Sequence, residues 1–279
     1  MSIKFTKLQG NGNDFILVDE YDGVVVPDDK KAGFAKKYCH RRFGVGADGV
    51  LFLSKSFRAL LKMRIFNEDG SEAEMCGNGI RCFAKYALEQ RYIVPGEARI
   101  EALSGILIVT TKVEDGKTTV RVSMGKPLFE RIMIPAQGHG DFFNVPLHGF
   151  EVSAVNTGVP HAVIFVDDLE DPGLMEAAPR IRFDKIFPKG ANVNFVKRDM
   201  GDLQVRTYER GVEGETLSCG TGSVAAAAVA RHLGIIRDSV MVKTAGGQLH
   251  ITFDNDMAFM EGCAETVYTG ELEADPAKL

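Results

Sequence analysis

Several features that mark particular classes of protein are missing from this sequence. It has no tryptophan, no Cys-x-x-Cys spacing, and no apolar run approaching the roughly 18 residues of a membrane span. Lysine and arginine (33) are outnumbered by aspartate and glutamate (38), the formal net charge is −5, and the basic residues form no cluster. These absences argue against a nucleic-acid surface, a structural zinc site and a membrane-spanning helix.

Cysteine is scarce and odd in number. The five cysteines are Cys39, Cys76, Cys82, Cys219 and Cys263. Residues 1–8 contain no apolar block of a signal peptide, so we expect a cytoplasmic protein whose thiols are reduced. With 279 residues, 45% hydrophobic and 25% charged, the composition predicts an ordinary globular protein of about two domains.

One short pattern occurs twice, in Cys76-Gly77-Asn78-Gly79 and in Cys219-Gly220-Thr221-Gly222. A run of helix-forming residues follows each copy, at residues 80–88 and 223–232, so we expect the glycines to form a tight turn ahead of each helix. The bare backbone N–H groups and the positive dipole end of a helix start stabilise an anion, either a thiolate or a bound carboxylate. The sequence therefore predicts two thiols, each at the start of its own helix.

Landmarks around the first thiol recur in the same order around the second. A strand ending at Asn67 precedes the first thiol and a strand ending at Glu209 precedes the second, which makes these two residues counterparts. Farther upstream of each thiol, a polar turn is followed by a buried strand, and matching these two segments aligns Asp14 with His161. Self-similarity over units of this length predicts a duplicated domain rather than a solenoid.

The predicted fold class is α+β, with two pseudo-symmetric duplicated domains. Each domain is expected to be a strongly curved, mostly antiparallel sheet or barrel around a central helix. The halves are placed at residues 1–124 and 125–263, residues 126–150 connect them, and residues 264–279 are expected to cross back to the first half. Because a pseudo-twofold would bring the two helix starts together, the active site is expected in the interdomain cleft.

Two thiols suit inversion of configuration at the α-carbon of an amino acid. A thiolate removes the proton from one face while a thiol delivers a proton to the other, and the roles exchange with the hand of the substrate. A helix start lowers the pKa of cysteine from about 8.5 toward neutrality, so both forms are accessible. Candidate donors to the negative charge that builds on the substrate carboxylate are Gly77, Asn78, Gly220 and Thr221. We expect His161 and Glu209 to act with the thiols by adjusting their charge state.

The same motifs match a known family. The matching blocks are residues 10–15, 42–49, 67–71, 76–79, 160–161, 187–192, 209–211 and 219–222. Taken together in this order, they resemble diaminopimelate epimerase from residue 4 to about residue 262. The resemblance implies a homodimeric, two-thiol epimerase that interconverts LL- and meso-2,6-diaminopimelate on the route to lysine and peptidoglycan, with no cofactor and no pyridoxal phosphate.

The resemblance also implies roles for individual residues. It makes Cys76 and Cys219 the acid/base pair and places His161 near the thiols. The implied readers of the distal, non-reacting end of the substrate are Asn11, Asn67, Asn192, Glu209 and Arg210. A guanidinium in that set can bind a carboxylate through two parallel hydrogen bonds. No metal site is implied.

Two positions depart from the common family pattern. Val159 stands where many members have asparagine before Pro160-His161, and residues 212–215 make the run before the second thiol one residue longer. The departures keep open a related two-thiol racemase of another amino acid, such as proline or histidine. A noncatalytic relative, or an isomerase like those of the phenazine pathway, is a third alternative that the presence of both thiols disfavours.

Other notable residues are expected to be structural. Cys39, Cys82 and Cys263 are interpreted as inert thiols. The glycines within residues 43–49 resemble a phosphate loop, but no Lys-Ser/Thr follows them, so a nucleotide site is not expected. Asn13 is a typical turn former, for which a structural and a functional role are equally open.

Overall fold

The computed structural model of the chain describes residues 2–273. Of these, residues 2–122 and 262–273 form one compact unit, called unit 1, and Ser123–Glu261 form a second, called unit 2. The predicted boundaries at 124/125 and 263/264 lie slightly later in the chain. The part of the predicted returning tail beyond Glu273 lies outside the described residues.

Unit 1 begins with eight strands and two helices. In chain order these are β1 (Ser2–Gly10), β2 (Asn13–Asp19), a 3-10 turn (Asp28–Lys30), α1 (Lys31–Tyr38), β3 (Gly49–Lys55), β4 (Leu61–Asn67), β5 (Glu72–Ala73), α2 (Gly77–Glu89), β6 (Gly96–Ala102), β7 (Gly105–Glu114) and β8 (Lys117–Gly125). Strand β2 is antiparallel to β1 and parallel to β3, with α1 in the crossover. Strand β4 is antiparallel to β3 and β5 and parallel to β6 across α2, and β6, β7 and β8 form an antiparallel meander.

Unit 2 repeats this order after one additional short strand at residues 145–147. Its elements are β9 (Val145–Leu147), β10 (Phe150–Asn156), β11 (Pro160–Phe165), α3 (Gly173–Arg182), β12 (Asn192–Asp199), β13 (Asp202–Glu209), β14 (Gly214–Thr216), α4 (Gly220–His232), β15 (Ser239–Thr244), β16 (Gly247–Asp254) and β17 (Met257–Cys263). Strands β11 and β12 are parallel across α3, β13 and β15 are parallel across α4, and the other pairs are antiparallel. The repeated topology confirms the predicted duplication.

The last strand belongs to unit 1. Strand β18 (Glu265–Glu273) runs antiparallel to β1, with Ser2 opposite Glu273 and Gln9 opposite Glu265. The first and last strands of the chain therefore lie side by side in one sheet.

Helices α2 and α4 occupy the interiors of their units. Residues 77–87 of α2 are all buried, as are Gly220 and residues 222–230 of α4. Helix α2 packs against β1, β2, β3, β4 and β7, and α4 packs against β10, β11, β12, β13 and β16. A helix that is buried on every side belongs in a core, and the alanine-rich run at residues 225–230 combines strong helix propensity with small volume. The predicted central helix is confirmed in each unit.

The helix starts differ from the sequence expectation. The helices begin at Gly77 and Gly220, so the glycines form the first turn instead of preceding it. Cys76 and Cys219 are the N-cap residues, with extended backbone at φ −140° and −120° respectively. Glycine in a first turn lets neighbouring strands approach closely. The spacing of apolar residues does not show that a helix already begins at such glycines.

The pairing of parallel strands corrects one predicted correspondence. Phe15 lies opposite Gly49 at the start of β3, and His161 lies opposite Asn192 at the start of β12. Phe15, and not Asp14, is therefore the positional counterpart of His161. The alignment of polar residues was wrong by one position, a shift that moves a side chain to the other face of a strand.

Each unit has its own aromatic core. In unit 1 Phe52 meets Phe34 and Phe66 edge to face, and in unit 2 the rings of Phe142 and Phe187 stack. Edge-to-face and offset-stacked pairs are the favoured arrangements of aromatic rings. Within residues 2–273, no helix has the length and hydropathy needed to cross a membrane.

Candidate active site

Cys76 caps the N-terminus of α2. The backbone N–H of Gly79 donates to its Sγ at 3.4 Å, and the same sulfur lies 3.6 Å from Oδ1 of Asn13. A carbonyl oxygen only accepts hydrogen bonds, so a thiol that contacts Asn13 does so as the donor. The two contacts therefore favour different protonation states of the same sulfur: the helix N–H group stabilises a thiolate, and the Asn13 carbonyl stabilises a thiol.

A polar network fixes Asn13. Its amide nitrogen donates to Oδ2 of Asp48 at 2.5 Å, and its Oδ1 also accepts from the side-chain amide of Asn78 at 3.3 Å. Arg41 joins Asp48 to Asp14 through ion pairs of 2.7 and 2.8 Å. Because the amide nitrogen of Asn13 donates to the carboxyl oxygen of Asp48, the Asn13 carbonyl is turned toward Cys76.

Asp14 anchors this network as a carboxylate. Lys7 and Arg41 form ion pairs with it at 2.6 and 2.8 Å, and Lys7 also donates to the backbone oxygen of Gly46. Burial raises the pKa of Asp14, but the hydrogen bonds and charges of Arg41 and Lys7 outweigh burial and hold it below its ordinary value. Asp14 is therefore ionised at neutral pH.

A buried arginine supports the other predicted residues of unit 1. Arg81 is 0% exposed, and its guanidinium donates to Oδ1 of Asn78 at 2.5 Å, to Oδ1 of Asn11 at 3.0 Å and to the backbone oxygen of Cys263 at 2.6 Å. Burial lowers the pKa of Arg81. Asn11 has a positive φ of 56°, as a turn residue tolerates, and its side chain is thus held by α2. Asn67 lies exposed at the end of β4 and donates to the hydroxyl of Ser71 at 3.0 Å.

Cys219 caps α4 in unit 2. Its Sγ lies 3.4 Å from the hydroxyl of Thr221, either of which can be the donor. The hydroxyl of Thr157 donates to the backbone oxygen of Thr221 at 2.9 Å, and the hydroxyl of Ser223 donates to that of Cys219 at 3.0 Å. Cys219 is only 7% exposed, so its surroundings are largely protein.

His161 is fully buried at the start of β11. Its Nδ1 lies 3.1 Å from the amide nitrogen of Asn194. Burial and, to a smaller extent, the positive charge of Arg210 lower the pKa of His161 to about 3, with the contact with Asn194 opposing both. The imidazole is therefore uncharged at neutral pH.

The remaining predicted residues of unit 2 meet where β12 and β13 approach one another. Oδ1 of Asn192 accepts from the backbone N–H of Arg210 at 2.7 Å, and its amide nitrogen donates to the backbone oxygen of Pro160 at 3.2 Å. Oε2 of Glu209 accepts from the hydroxyl of Thr216 at 2.9 Å. Burial and the nearby charge of a second arginine lower the pKa of Arg210, with Glu213 opposing them.

The extra residue before the second thiol has a defined anchor. Oε1 of Glu213 accepts from the backbone N–H of Gly211 at 3.0 Å and from the guanidinium of Arg182 at 2.8 Å. The longer run is therefore tied to the end of α3. Val159, the other departure, corresponds by strand register to Asn13 of unit 1 and is partly buried.

The other thiols have different surroundings. Cys39 and Cys82 are fully buried, and burial raises the pKa of each to about 12, in agreement with inert thiols. Cys263 is exposed, so burial does not explain its expected inertness. Within residues 2–273, no group of three or more His, Cys, Asp or Glu side chains is arranged to hold a metal ion.

Comparison with known proteins identifies the family. The family model described as diaminopimelate epimerase matches residues 5–130 and 153–271. The diaminopimelate epimerase of Methanocella arvoryzae is 66% identical over 274 residues, covering 98% of each chain. The chain belongs to the diaminopimelate epimerase family. A second relative, the diaminopimelate epimerase of Archaeoglobus fulgidus, is 52% identical over 275 residues, covering 98% of this chain and 97% of the relative.

Solved structures share the fold of this epimerase-family chain at low identity. A phenazine biosynthesis protein of the PhzF family from Bacillus anthracis superposes with a TM-score of 0.73 at 18% identity, covering 98% of this chain and 100% of the other. A probable proline racemase from Agrobacterium radiobacter gives a TM-score of 0.71 at 16% identity, covering 98% and 94%. Both likenesses confirm the predicted fold class.

Three polar residues in or close to the family motifs were not among the predicted site residues. Asn13 contacts Cys76, Arg81 holds Asn78, and Asn194 contacts His161. Arg81 carries a sequence signal, because it is a charged residue in the first half of a helix that otherwise has charged residues only at Lys85 and Glu89. Asn13 and Asn194 carry a weaker one, since each lies in or next to a buried strand where an amide needs a partner.

Proposed function

We propose that this protein interconverts LL- and meso-2,6-diaminopimelate by a two-base thiol mechanism without a cofactor, each unit being one half of the enzyme. One observation carries the proposal: in a chain of the diaminopimelate epimerase family, each unit presents a cysteine as the N-cap of its buried central helix. One thiolate takes the α-proton and the other thiol returns a proton from the opposite face. The direction of reaction decides which of Cys76 and Cys219 acts as base.

The helix starts supply the electrostatics of this chemistry. The first four N–H groups of a helix have no partner within it, and together with the dipole they favour a negative charge near the N-cap. The backbone of Gly77 and Gly220 and the side chains of Asn78 and Thr221 are assigned to the reacting carboxylate. As the α-proton leaves, charge builds on that carboxylate, so donors already in place lower the barrier.

The distal amino-acid end of diaminopimelate requires a second set of groups. We assign it to Asn11, Asn67, Asn192, Glu209 and Arg210. The charges are complementary, since Arg210 suits the distal carboxylate and Glu209 the distal ammonium group. The backbone N–H of Arg210 donates to Asn192, and this hydrogen bond fixes the position of the backbone from which the Arg210 side chain extends. His161 and Glu209 are further assigned to adjust the charge state of the thiols.

Solvent hydrogen exchange tests the reaction. Purified protein given LL-diaminopimelate in deuterated water, with no added cofactor, is expected to form the meso isomer carrying deuterium at the inverted α-carbon. Cys76→Ala and Cys219→Ala are each expected to lower kcat by about 10³-fold or more, because each removes one proton-transfer group. Cys263→Ala changes an exposed thiol and is the matched control. Epimerisation that survives either of the first two substitutions, or that requires pyridoxal phosphate, would overturn the proposal.

A two-thiol racemase of another amino acid is the second candidate, motivated by Val159 in place of the common asparagine. A substrate panel separates the two. Turnover of LL-diaminopimelate but not of L-proline or L-histidine supports the epimerase, because only diaminopimelate carries the second amino-acid group. The reverse preference would favour the racemase.

We also propose a cytoplasmic homodimer, on the family resemblance. Size-exclusion chromatography with light scattering is expected to give twice the chain mass of 30.5 kDa. A single-chain mass at micromolar concentration would refute the dimer.

A further inference from the structure

Asn194 is a buried polar residue that the proposed roles leave unassigned. It lies on β12, with Val163 of β11 on one side and Thr207 of β13 on the other. Its side chain is 0% exposed, within the core of unit 2. Burying a primary amide costs free energy unless its hydrogen bonds are satisfied, so its partners show what the residue does.

The hydrogen bonds of Asn194 leave only one orientation for the amide. Its nitrogen donates to the backbone oxygen of Ala162 at 2.9 Å and lies 3.1 Å from Nδ1 of His161. Its Oδ1 accepts from the hydroxyl of Thr207 at 3.0 Å. A flipped amide would set two oxygen atoms against each other at Ala162, so the NH₂ group must face the histidine. Both of its hydrogens are then used, one on Ala162 and one on the ring.

This orientation determines the tautomer of His161. A ring nitrogen that accepts from an amide carries no hydrogen, so the single proton of a neutral imidazole resides on Nε2. Nε2 is buried and has no hydrogen-bond partner within residues 2–273. The low pKa of about 3 that burial gives the ring agrees with a neutral form. Nε2–H is thus a fixed, buried donor.

A glycine in the Cys219 turn makes room for this arrangement. A Cβ on Gly222 would lie 2.4 Å from Oδ1 of Asn194 and 3.3 Å from Sγ of Cys219. No side-chain carbon approaches an oxygen that closely, so any other residue at 222 would displace Asn194 or the thiol. The amide of Asn194 therefore packs between His161 and the first turn of α4.

We propose that Asn194, oriented by Thr207, is a positioning residue that holds His161 in the Nε2–H tautomer. His161 then acts on the charge state of the thiols as a neutral hydrogen-bond donor that favours a thiolate, and not as a base that removes a proton. The assignment of the tautomer stands on the geometry alone. The role as a donor rests on the proposed function.

Nitrogen NMR of the full-length protein, with ¹⁵N-labelled histidine, tests the tautomer without any substrate. The signal of His161 is identified by its loss in His161→Asn. In the wild type we expect an unprotonated Nδ1 and a protonated Nε2. A protonated Nδ1 in the wild type would overturn the proposal, whatever the variants do.

Isosteric variants test the control exerted by Asn194. Asn194→Asp replaces the NH₂ donor by an acceptor, so the ring proton is expected to move to Nδ1. Thr207→Val removes one of the two contacts that orient the amide and leaves only the backbone oxygen of Ala162, so we expect a minor population with a flipped amide and an Nδ1–H ring, whereas Thr207→Ser restores the hydroxyl and the wild-type pattern. An unchanged tautomer in folded Asn194→Asp contradicts the proposal. If that variant does not fold, the Thr207 pair decides, and identical spectra for Val and Ser would refute it.

Kinetics then test the consequence for the reaction. We expect Asn194→Asp to lower kcat for LL-diaminopimelate by about 10-fold or more with little change in KM, because a wrong tautomer impairs the chemical step and not binding. A merely structural role would leave kcat of the folded fraction unchanged. Absence of epimerase activity in the wild type would refute the proposed function while leaving the NMR result on the tautomer intact.

Discussion

At the scale of single residues, the two thiols have different immediate neighbours. Cys76 lies against the carbonyl of Asn13, which a hydrogen bond to Asp48 holds in place, whereas Cys219 lies against the hydroxyl of Thr221. A carbonyl oxygen only accepts, while a hydroxyl both accepts and donates. The Asn13 contact favours a protonated Cys76, and Thr221 accommodates Cys219 in either form. The duplicated units have thus diverged at the residues next to the sulfur.

His161 predicts a particular dependence of stability on pH. Burial lowers its pKa in the folded protein to about 3, against an ordinary value of 6.5. Below pH 6.5 the unfolded chain binds a proton that the folded protein excludes, so the free energy of unfolding falls as the pH is lowered. This contribution is fully present above pH 6.5, and it is lost toward pH 3 at up to about 1.4 kcal/mol for each pH unit.

His161→Asn isolates this effect, because asparagine keeps an acceptor for Asn194 but binds no proton. Urea unfolding at pH 5.5 and 4.5 is expected to show a pH dependence weaker than that of the wild type by about 1 kcal/mol per pH unit. His139→Asn changes an exposed histidine and should retain the wild-type dependence. The same dependence in His161→Asn as in the wild type would show that the buried ring is not held neutral.

At the scale of elements, the first turns of α2 and α4 leave different amounts of space for a side chain. A Cβ on Gly79 would meet the ends of the Ile65 and Leu51 side chains at 3.3 and 3.4 Å and the Cβ of Cys76 at 3.4 Å. A Cβ on Gly222 would meet the Asn194 amide oxygen at 2.4 Å. The helix of unit 1 can therefore accommodate a methyl group that the helix of unit 2 cannot.

This difference predicts that the same substitution, glycine to alanine, destabilises the protein more at residue 222 than at residue 79. Gly79→Ala gains up to about 1 kcal/mol of helix propensity, which the close contacts offset, so its stability should stay within about 1 kcal/mol of the wild type. Gly222→Ala is expected to lower the free energy of unfolding by about 1–3 kcal/mol through overpacking. Urea unfolding of the two variants in parallel measures the contrast. Equal stabilities would mean that the Asn194 amide can move aside at no cost.

The elements also show how far the sequence predicts the fold. The runs at residues 80–88 and 223–232 predict both central helices, and the structure extends each by its glycine turn. The predicted correspondence of Asp14 with His161 is wrong by one residue. A polar residue indicates where a strand begins or ends, but it does not indicate which residue of the neighbouring strand lies opposite. Register is set by hydrogen bonds between strands that are distant in sequence. The order of residues along the chain does not reveal which residues form these hydrogen bonds.

The same limit applies to the candidate site. The Cys-Gly-x-Gly motifs are recognisable because helix, cap and thiol are contiguous in sequence. Asn13 and Asn194 gain their roles from Cys76 and His161, which lie far from them along the chain. Neither residue type nor spacing shows which of several buried amides will meet a functional side chain.

At the scale of the whole molecule, the two ends of the described chain close unit 1. Strand β18 pairs with β1 along its length, so this unit is assembled from segments that the whole of unit 2 separates in sequence. The closing pair includes Phe5 directly opposite Gly270, with Phe5 only 7% exposed. The Phe5 ring also meets Tyr268 edge to face at 5.9 Å. Closure therefore depends on an aromatic ring seated over a glycine.

Gly270→Ala tests this closure. A Cβ at residue 270 would lie 2.7 Å from two atoms of the Phe5 ring, which the core of unit 1 holds in place. Alanine is ordinarily better than glycine in a strand, yet here we expect the free energy of unfolding to fall by about 1–3 kcal/mol because the ring must shift. Thr269→Ala alters the exposed neighbouring position and should change stability by no more than about 0.5 kcal/mol. If urea unfolding shows Gly270→Ala to be as stable as Thr269→Ala, the pairing of the chain's two ends does not depend on that ring.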